Sequence, residues 1–283
     1  MKILVTGSNG QLGSELQFLS KNYSEFEFEF TDFPGLDITN AEQVEAAFSK
    51  GAFDYCINCA AYTAVDKAEE DKESCDRINV LGSKVLAKAC NDHNAILIHI
   101  STDFVFDGTS NKPLKEDQST APVNYYGESK LNGELAVSNA TEKYFIFRTS
   151  WLYSSFGNNF VKTMIKLSES RDELNIIADQ IGSPTYARDL AQSILHIVSS
   201  NSDQFGLYHY SNEGVASWYD FTCAIFEYKG IGTKVNPIPT EKYPTPAARP
   251  HYSVMDKSKF TETFNESITH WRSSLKNCLE LIS

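Results

Sequence analysis

Three glycines near the start constrain this chain more than any other feature. Lys2 to Thr6 is a short apolar run. Gly7-Ser8-Asn9-Gly10-Gln11-Leu12-Gly13 follows it directly, and Gln11 to Leu19 then carries apolar residues at helical spacing. A strand, a tight turn and a helix in that order are the context in which a G-x-x-G-x-x-G spacing reads as a variant of the dinucleotide-binding fingerprint. The missing side chains let the backbone approach a pyrophosphate, and the helix start offers it free N–H groups. A plain turn would use glycine equally freely. The flanking strand and helix favour Gly7, Gly10 and Gly13 as cofactor-binding residues.

The pattern continues in the same style. Phe26, Phe28 and Phe30 alternate with Glu25, Glu27 and Glu29, a period-two strand with one wet face. Thr39-Asn40-Ala41-Glu42 has capping-box spacing and opens a helix through Phe48. Phe53–Asn58 reads as a strand, Lys72 to Asn91 as one long helix, Ala95–Ile100 as a strand, a helix begins near Tyr125, and Tyr144–Thr149 is a strand. Strands separated by helices predict βαβ units. The expected class is α/β, a Rossmann-type doubly wound parallel sheet over 1–150, with a smaller C-terminal substrate-binding lobe over 151–283 packed closely on it. In that second half helices are expected at Asn159–Ser168, Ala187–Ser199 and Ser217–Tyr228, and short strands near Leu174–Ile177 and Leu207–Tyr210. Pro237, Pro239, Pro244, Pro246 and Pro250 crowd an expected loop.

Composition bears on partners. The 283 residues carry a formal charge of -12, and an acidic surface repels phosphate backbones, so nucleic acid is not expected as a partner. No apolar run approaches the ~18 residues of a membrane span, and the opening residues lack the long apolar stretch of an export signal. A cytoplasmic protein with no membrane partner is expected. Of six cysteines, Cys56 and Cys59 have C-x-x-C spacing without a second pair, which reads as small buried residues in a reducing compartment rather than a metal site.

The candidate chemistry lies at strand ends. Ser101-Thr102-Asp103 ends the Ala95–Ile100 strand, and Tyr126-Gly127-Glu128-Ser129-Lys130 opens the next helix. Tyr126 and Lys130, at i and i+4, share a helical face, whereas Tyr125, five residues from Lys130, turns to another. A phenol with a pKa near 10 is a poor acid at neutral pH; an adjacent ammonium is expected to lower it towards the working range. A threonine hydroxyl can hydrogen-bond a carbonyl oxygen as charge builds on it. Tyr126, Lys130 and Thr102 are therefore the expected catalytic group for reducing a carbonyl, against the alternative of a surface Tyr–Lys pair. Asp32, 19 residues beyond Gly13, stands where a carboxylate accepts from an adenosine ribose and repels a 2′-phosphate, favouring NADH over NADPH. It reads equally as a turn aspartate before Pro34-Gly35. Asp37 is a second candidate, placed near the adenine.

Taken together the chain resembles the extended short-chain dehydrogenase/reductase family, in particular its members that reduce a 4-keto nucleotide sugar. The resemblance rests on Gly7 to Gly13, Asn58 with Ala64 to Glu69, Ser101 to Gly108, Tyr126-Gly127 with Lys130-Leu131, and Phe147 to Trp151. It continues through Gly157 to Phe160, Asp179-Gln180 with Gly182 to Thr185, and Tyr243 to Ala247 with Arg249-Pro250. The resemblance implies cofactor contacts from Gly10, Gln11, Leu12, Asp32, Asp37, Ala61, Tyr62, Thr63, Tyr126 and Lys130, with NADH or NADPH bound. It implies substrate contacts from Thr102, Asp103, Trp151 and Asn158, and places Arg249 near a substrate diphosphate, a task that suits a guanidinium fork. Trp151 as a core aromatic and Arg249 as a surface cation stay open. So do another ketoreductase, an epimerase, or a non-catalytic regulatory subunit of the same family.

One departure concerns metal. Some relatives bind Mg²⁺ at a dimer contact with a glutamate of the first helix, which Glu15 matches. The next carboxylate position, after Pro184-Thr185-Tyr186-Ala187, is Arg188. A cation in place of a ligand argues against Mg²⁺ here. The expected state is a monomer or weak homodimer.

Overall fold

The computed structural model describes residues 1–282. Its central sheet has six parallel strands: β1 (Lys2–Thr6), β2 (Glu27–Phe30), β3 (Tyr55–Asn58), β4 (Ile96–Thr102), β5 (Tyr144–Thr149) and β6 (Gly206–His209). Their spatial order is β6-β5-β4-β3-β1-β2. From β1 the chain moves outward to β2 and then returns across it to β3. That reversal opens a crevice beyond the carboxyl ends of β1 and β3, where open α/β sheets bind ligands.

Both faces of the sheet are covered, as its apolar runs require. Ile3 and Val5 point to one face, packed with Leu12, Leu16 and Leu19 of α1 (Gln11–Ser20). Leu4 points to the other, with Val44 and Phe48 of α2 (Ala41–Gly51) and Leu86 and Cys90 of α3 (Ser83–Asp92). The edge strand β2 keeps the expected alternation, Glu27 and Glu29 outside and Phe28 and Phe30 turned inward. α4 (Tyr125–Ala140) and α5 (Ala187–Ser199) complete the layers. Among the described residues, no helix is long and apolar enough to cross a membrane.

Several expectations shift. The cap of α2 is Asn40, not Thr39: its side chain accepts from the amides of Glu42 and Gln43. The single helix expected over 72–91 is present, but residues Arg77–Gly82 within it are wound as a π-helix. The boundary at residue 150 separates motifs better than it separates packing. Residues 206–209 form the sixth strand of the main sheet, paired to β5, and α5 contributes Leu190, Ile194 and Val198 to the core of the first face. Phe260 and Phe264 join that core too. The remaining lobe has its own core of Tyr153, Val161, Leu174, Phe221, Trp271 and Leu275. It includes a strand that the prolines hid: Lys234–Ile238 runs parallel to Glu173–Ile177. A two-stranded ribbon has a free edge on each strand, so Pro237 fits without breaking a ladder.

Candidate active site

The cofactor cradle forms as the glycines dictate. Gly7 has φ +63°, and a Cβ there would lie 2.4 Å from the Ala60 nitrogen, so only glycine lets the loop after β1 press against the loop after β3. α1 begins without any side-chain cap at Gly10, leaving its first-turn N–H groups for a ligand. Beside it lies a cavity of about 400 Å³ lined by Gly7, Gly10, Asp32, Asp37, Ala61 and Arg77 among others. These features fit a dinucleotide. Leu12 is buried in the core, so any contact from it is through its amide, and Gly13 lets the helix start pack against the Gly7–Ser8 turn, where a Cβ would lie 2.5 Å from the Gly7 carbonyl oxygen. The Gln11 side-chain nitrogen lies 3.4 Å from the Leu152 carbonyl.

Asp32 makes the contacts of a turn residue and also stands at the cavity wall. Its carboxylate accepts from the amides of Asn9 (2.9 Å) and Phe33 (2.8 Å), as a turn residue would, and it lines the cradle. Asp37 accepts from the Thr39 hydroxyl and amide, which hold its carboxyl below the usual range. Arg77 is a cation that inspection of the sequence around Asp32 missed, because it reaches this cavity from the π-helical segment. The Tyr62 loop is held from the same segment. The buried Asn79 amide accepts from Tyr62 N–H (2.9 Å) and donates to its carbonyl (3.2 Å) and to the Ser129 hydroxyl (2.9 Å). Nothing in the local sequence flags Asn79, since its position depends on the π turn. Tyr62 and Thr63 line neither of the two cavities described here.

Thr102, Tyr126 and Lys130 converge where β4 ends and α4 begins. Thr102 closes β4; its hydroxyl donates to Asp103 Oδ1 (3.0 Å) and accepts from Phe104 N–H (3.2 Å). Asn124 caps α4 by accepting from Gly127 N–H (2.8 Å). A Cβ on Gly127 would sit 2.2 Å from the Phe104 carbonyl oxygen, so glycine allows the helix start to press on the strand end. Tyr126 is half-buried with its ring edge-on to Phe104, at 5.8 Å. Lys130 is buried and donates to the Ile100 carbonyl at 2.6 Å. Tyr125 is engaged elsewhere, donating to Asp76 at 2.6 Å.

The electrostatics correct one expectation. Burial raises the Tyr126 phenol, with the Asp103 carboxylate adding to the effect and the Thr102 hydroxyl opposing it. Lys130 itself is lowered to about 8 by burial, against the pull of Glu134. Burial raises Asp103 to about 6, against the Ser253 and Thr102 hydroxyls.

A second cavity, about 900 Å³, lies between the sheet and the smaller lobe, lined by Asp66, Phe104, Trp151, Phe160, Trp218, Lys242, Arg249 and Ser253 among others. Trp151 is a wall of this cavity rather than a core aromatic. It has φ +48°, an uncommon conformation for a bulky residue, and its indole stacks on Trp218 at 3.6 Å and 9°. Trp218 in turn donates to Gln180 (3.2 Å). Trp218 and Phe160 are aromatic lining residues that read only as helix residues in the sequence. Arg249 lines the cavity but is not a free cation: it forks onto Asp66. Asn158 does not join the group. It is exposed and lines neither cavity, while its neighbour Asn159 caps the helix Phe160–Ser168.

Glu15 and Arg188 meet as an ion pair, 2.7 Å from Oε2 to Nε, and Ser154 donates to Oε1 at 2.6 Å. Among the described residues no group of three or more His, Cys, Asp or Glu is placed to hold a metal ion. Cys56 and Cys59 are free thiols.

Comparison with known proteins agrees with this geometry. The chain is 42% identical over 291 residues to a dTDP-4-dehydrorhamnose reductase of Escherichia coli (strain K12), covering 99% of this chain and 97% of that one. Its structure superposes with a TM-score of 0.96 on a dTDP-4-dehydrorhamnose reductase of Clostridium acetobutylicum, at 44% identity and 99% coverage of both chains. With the same enzyme of Bacillus anthracis in complex with NADP the TM-score is 0.95, at 40% identity, covering 99% of this chain and 98% of that one. Residues 1–283 match the RmlD substrate binding domain family, and this chain belongs to it.

Proposed function

We propose that this protein reduces the C4 carbonyl of dTDP-4-dehydro-L-rhamnose to give dTDP-L-rhamnose, using NADH or NADPH. The observation that supports the reading is the meeting of the Tyr126 and Thr102 hydroxyls, with Lys130 one turn further along the same helix, next to Phe104, which lines a cavity of about 900 Å³. The cofactor supplies hydride when bound. Tyr126 supplies the proton to the carbonyl oxygen. A phenol that burial and Asp103 keep protonated is a weak acid towards water, but the alkoxide that forms as hydride arrives is a far stronger base and takes its proton. The Thr102 hydroxyl, which donates to Asp103, would turn to the same oxygen and stabilise the charge that develops there. Lys130, held by the Ile100 carbonyl, presents an ammonium to the ribose side of the cradle. Asp103 and Trp151 shape the sugar site, and Arg249 faces the diphosphate end.

In this reading Asp32 favours NADH, with Arg77 on the same cavity giving NADPH partial acceptance. The enzyme works in the cytoplasm as a monomer or weak homodimer, without Mg²⁺. Incubation of purified protein with the keto sugar and NADH tests the assignment. One equivalent of NADH consumed per sugar, with dTDP-L-rhamnose as the product, is the expected result; no consumption with NADH, and none with NADPH in its place, would overturn it.

A further inference from the structure

Beneath the site lie three polar groups that touch neither cavity. Glu134 sits on α4, eight residues after Tyr126 and four after Lys130, so the three share one helical face. Arg148 comes from β5 and Ser101 from β4, and the two are register partners across those strands. Glu134, Arg148 and Ser101 are 5%, 3% and 3% exposed. Arg148 grips the carboxylate with both prongs, Nε to Oε1 at 2.8 Å and Nη2 to Oε2 at 2.7 Å. The Ser101 hydroxyl donates to Oε1 as well.

One carboxylate thus joins the helix that bears Tyr126 and Lys130 to the strand end that bears Thr102. Lys130 on the Ile100 carbonyl and Ser129 on Asn79 also anchor that helix, but its apolar packing on the sheet is thin. Its buried residues are Gly127, Ser129, Lys130, Gly133, Glu134 and Val137, of which Val137 is the only large apolar one. Small residues allow close approach but do not resist sliding. A forked buried pair resists it strongly, because any slip leaves a charge unpaired away from water. Stability alone does not explain the pair, since well-packed apolar residues in its place are often as stable, and fixing register is the better-attested use of such groups.

We propose that Glu134 is a positioning residue for the reduction, fixing α4 on the sheet so that Tyr126 and Lys130 stand opposite Thr102. The proposal rests on the reductase reading above. Each residue of helix advances about 1.5 Å, so even a fraction of one step moves the phenol relative to the hydroxyl by an amount that matters for transfer. Glu134 has a second, smaller effect: it is the foremost group holding the Lys130 ammonium up against burial.

The test uses two variants of the full chain with the keto sugar and NADH. Ser101→Ala cuts the link to β4 and leaves the ion pair. The double variant Glu134→Leu with Arg148→Met removes both charges, so neither is orphaned. For Ser101→Ala we expect kcat to fall several-fold with KM and NADH affinity unchanged. For the double variant we expect a fall of about 100-fold, the size of a misplacement near 1 Å, with thermal midpoint and NADH affinity close to wild type. A crystal structure of the double variant should show α4 displaced along β4. A double variant that folds, binds NADH and turns over at the wild-type rate would overturn the proposal. If it does not fold, Ser101→Ala decides: wild-type kcat refutes, a loss confined to kcat supports. A wild-type protein that consumes neither NADH nor NADPH with this sugar would instead remove the substrate reading, and the proposal with it.

Discussion

Arg249 and Asp66, 183 residues apart, form a two-pronged ion pair at the rim of the sugar cavity, with Nη1 2.9 Å from Oδ1 and Nη2 2.8 Å from Oδ2. The Ala247 carbonyl accepts from Nη1 too, and the Ala247 amide donates to Asp66. The late proline-rich loop is thereby tied to the loop after β3, and the Arg249 hydrogen pair holds the Asp66 carboxyl below its ordinary range. The fork leaves part of the guanidinium for an anion and fixes its plane.

Arg249→Ala should therefore raise KM for the nucleotide sugar by about 10-fold or more, the loss of one charge-assisted hydrogen bond, while sparing NADH affinity. Lysine at this position should rescue only part, because it keeps charge and loses the fork. Initial rates over a range of sugar concentrations check this. An unchanged KM would make the Asp66 pair the residue's whole role.

The two adjacent tyrosines separate cleanly. Tyr126→Phe removes the proposed acid and should lower kcat by about 100-fold or more, with NADH binding unchanged. Tyr125→Phe should leave kcat within a few-fold, because that hydroxyl is spent on Asp76, which pushes its pKa up to about 12. Reversal of the two results would show that the helical phase has been misread.

Local chemistry encodes one part of this site and packing the other. The glycine loop, the strands around it and the Tyr126–Lys130 spacing depend on local chemistry, and the structure has them in place. Asn79, Arg77 and Trp218 reach the site through a π turn and a helix from the other lobe, and no local pattern encodes either. The pKa of Tyr126 could not be read for a related reason. It depends on how deeply the ring is enclosed and on the Asp103 charge nearby, which is a property of packing rather than of spacing. Asn158 lies inside a recognisable motif but is exposed and lines neither cavity, a placement that local sequence does not reveal.

Asp103 offers a test by stability. Its carboxyl is raised from 3.8 to about 6, chiefly by burial. Between about pH 4 and 6 the folded state binds the extra proton, so this group's contribution to stability falls as pH rises through that window and the full penalty stands above it. Asp103→Asn should then stabilise the protein at pH 8 by roughly 1–3 kcal/mol, up to the size of the shift, with the gain vanishing near pH 4. Activity should fall in the same variant. Thermal midpoints of both proteins across pH 4–8 would show it; a gain independent of pH would not fit a buried charge.

Cofactor choice pits two groups on one cavity against each other. Asp32 repels a 2′-phosphate and Arg77 attracts one. Asp32 is already fixed by two backbone amides beside the glycine loop, so kcat/KM should be higher with NADH than with NADPH. Asp32→Ala should narrow the ratio and Arg77→Ala should widen it. An NADPH preference that persists in Asp32→Ala would take this residue away from the ribose.

The last prediction concerns Glu15 and Arg188, the position at which the family resemblance raises a Mg²⁺ site. Glu15 is fully enclosed, and both of its oxygens are occupied: Oε1 by the Ser154 hydroxyl, Oε2 by Arg188. The guanidinium lies over the Phe18 ring at 4.2 Å, so it is held in place from a second side. A dication would have to displace a cation that is stacked and hydrogen-bonded, and would find a single carboxylate there where Mg²⁺ takes several oxygen ligands. EDTA should leave both activity and apparent mass unchanged. Because the carboxylate is buried, Arg188 matters more than a surface ion would. Arg188→Ala strands a charge in the interior and should cost about 3–5 kcal/mol of stability, whereas Glu15→Gln with Arg188→Met, which removes both charges, should cost much less. Chemical denaturation of the three proteins measures this directly. Activity lost in EDTA and restored by Mg²⁺ would mean that carboxylates elsewhere, Asp189 among them, rebuild the site; a dimer that dissociates in EDTA would count against the prediction more directly still.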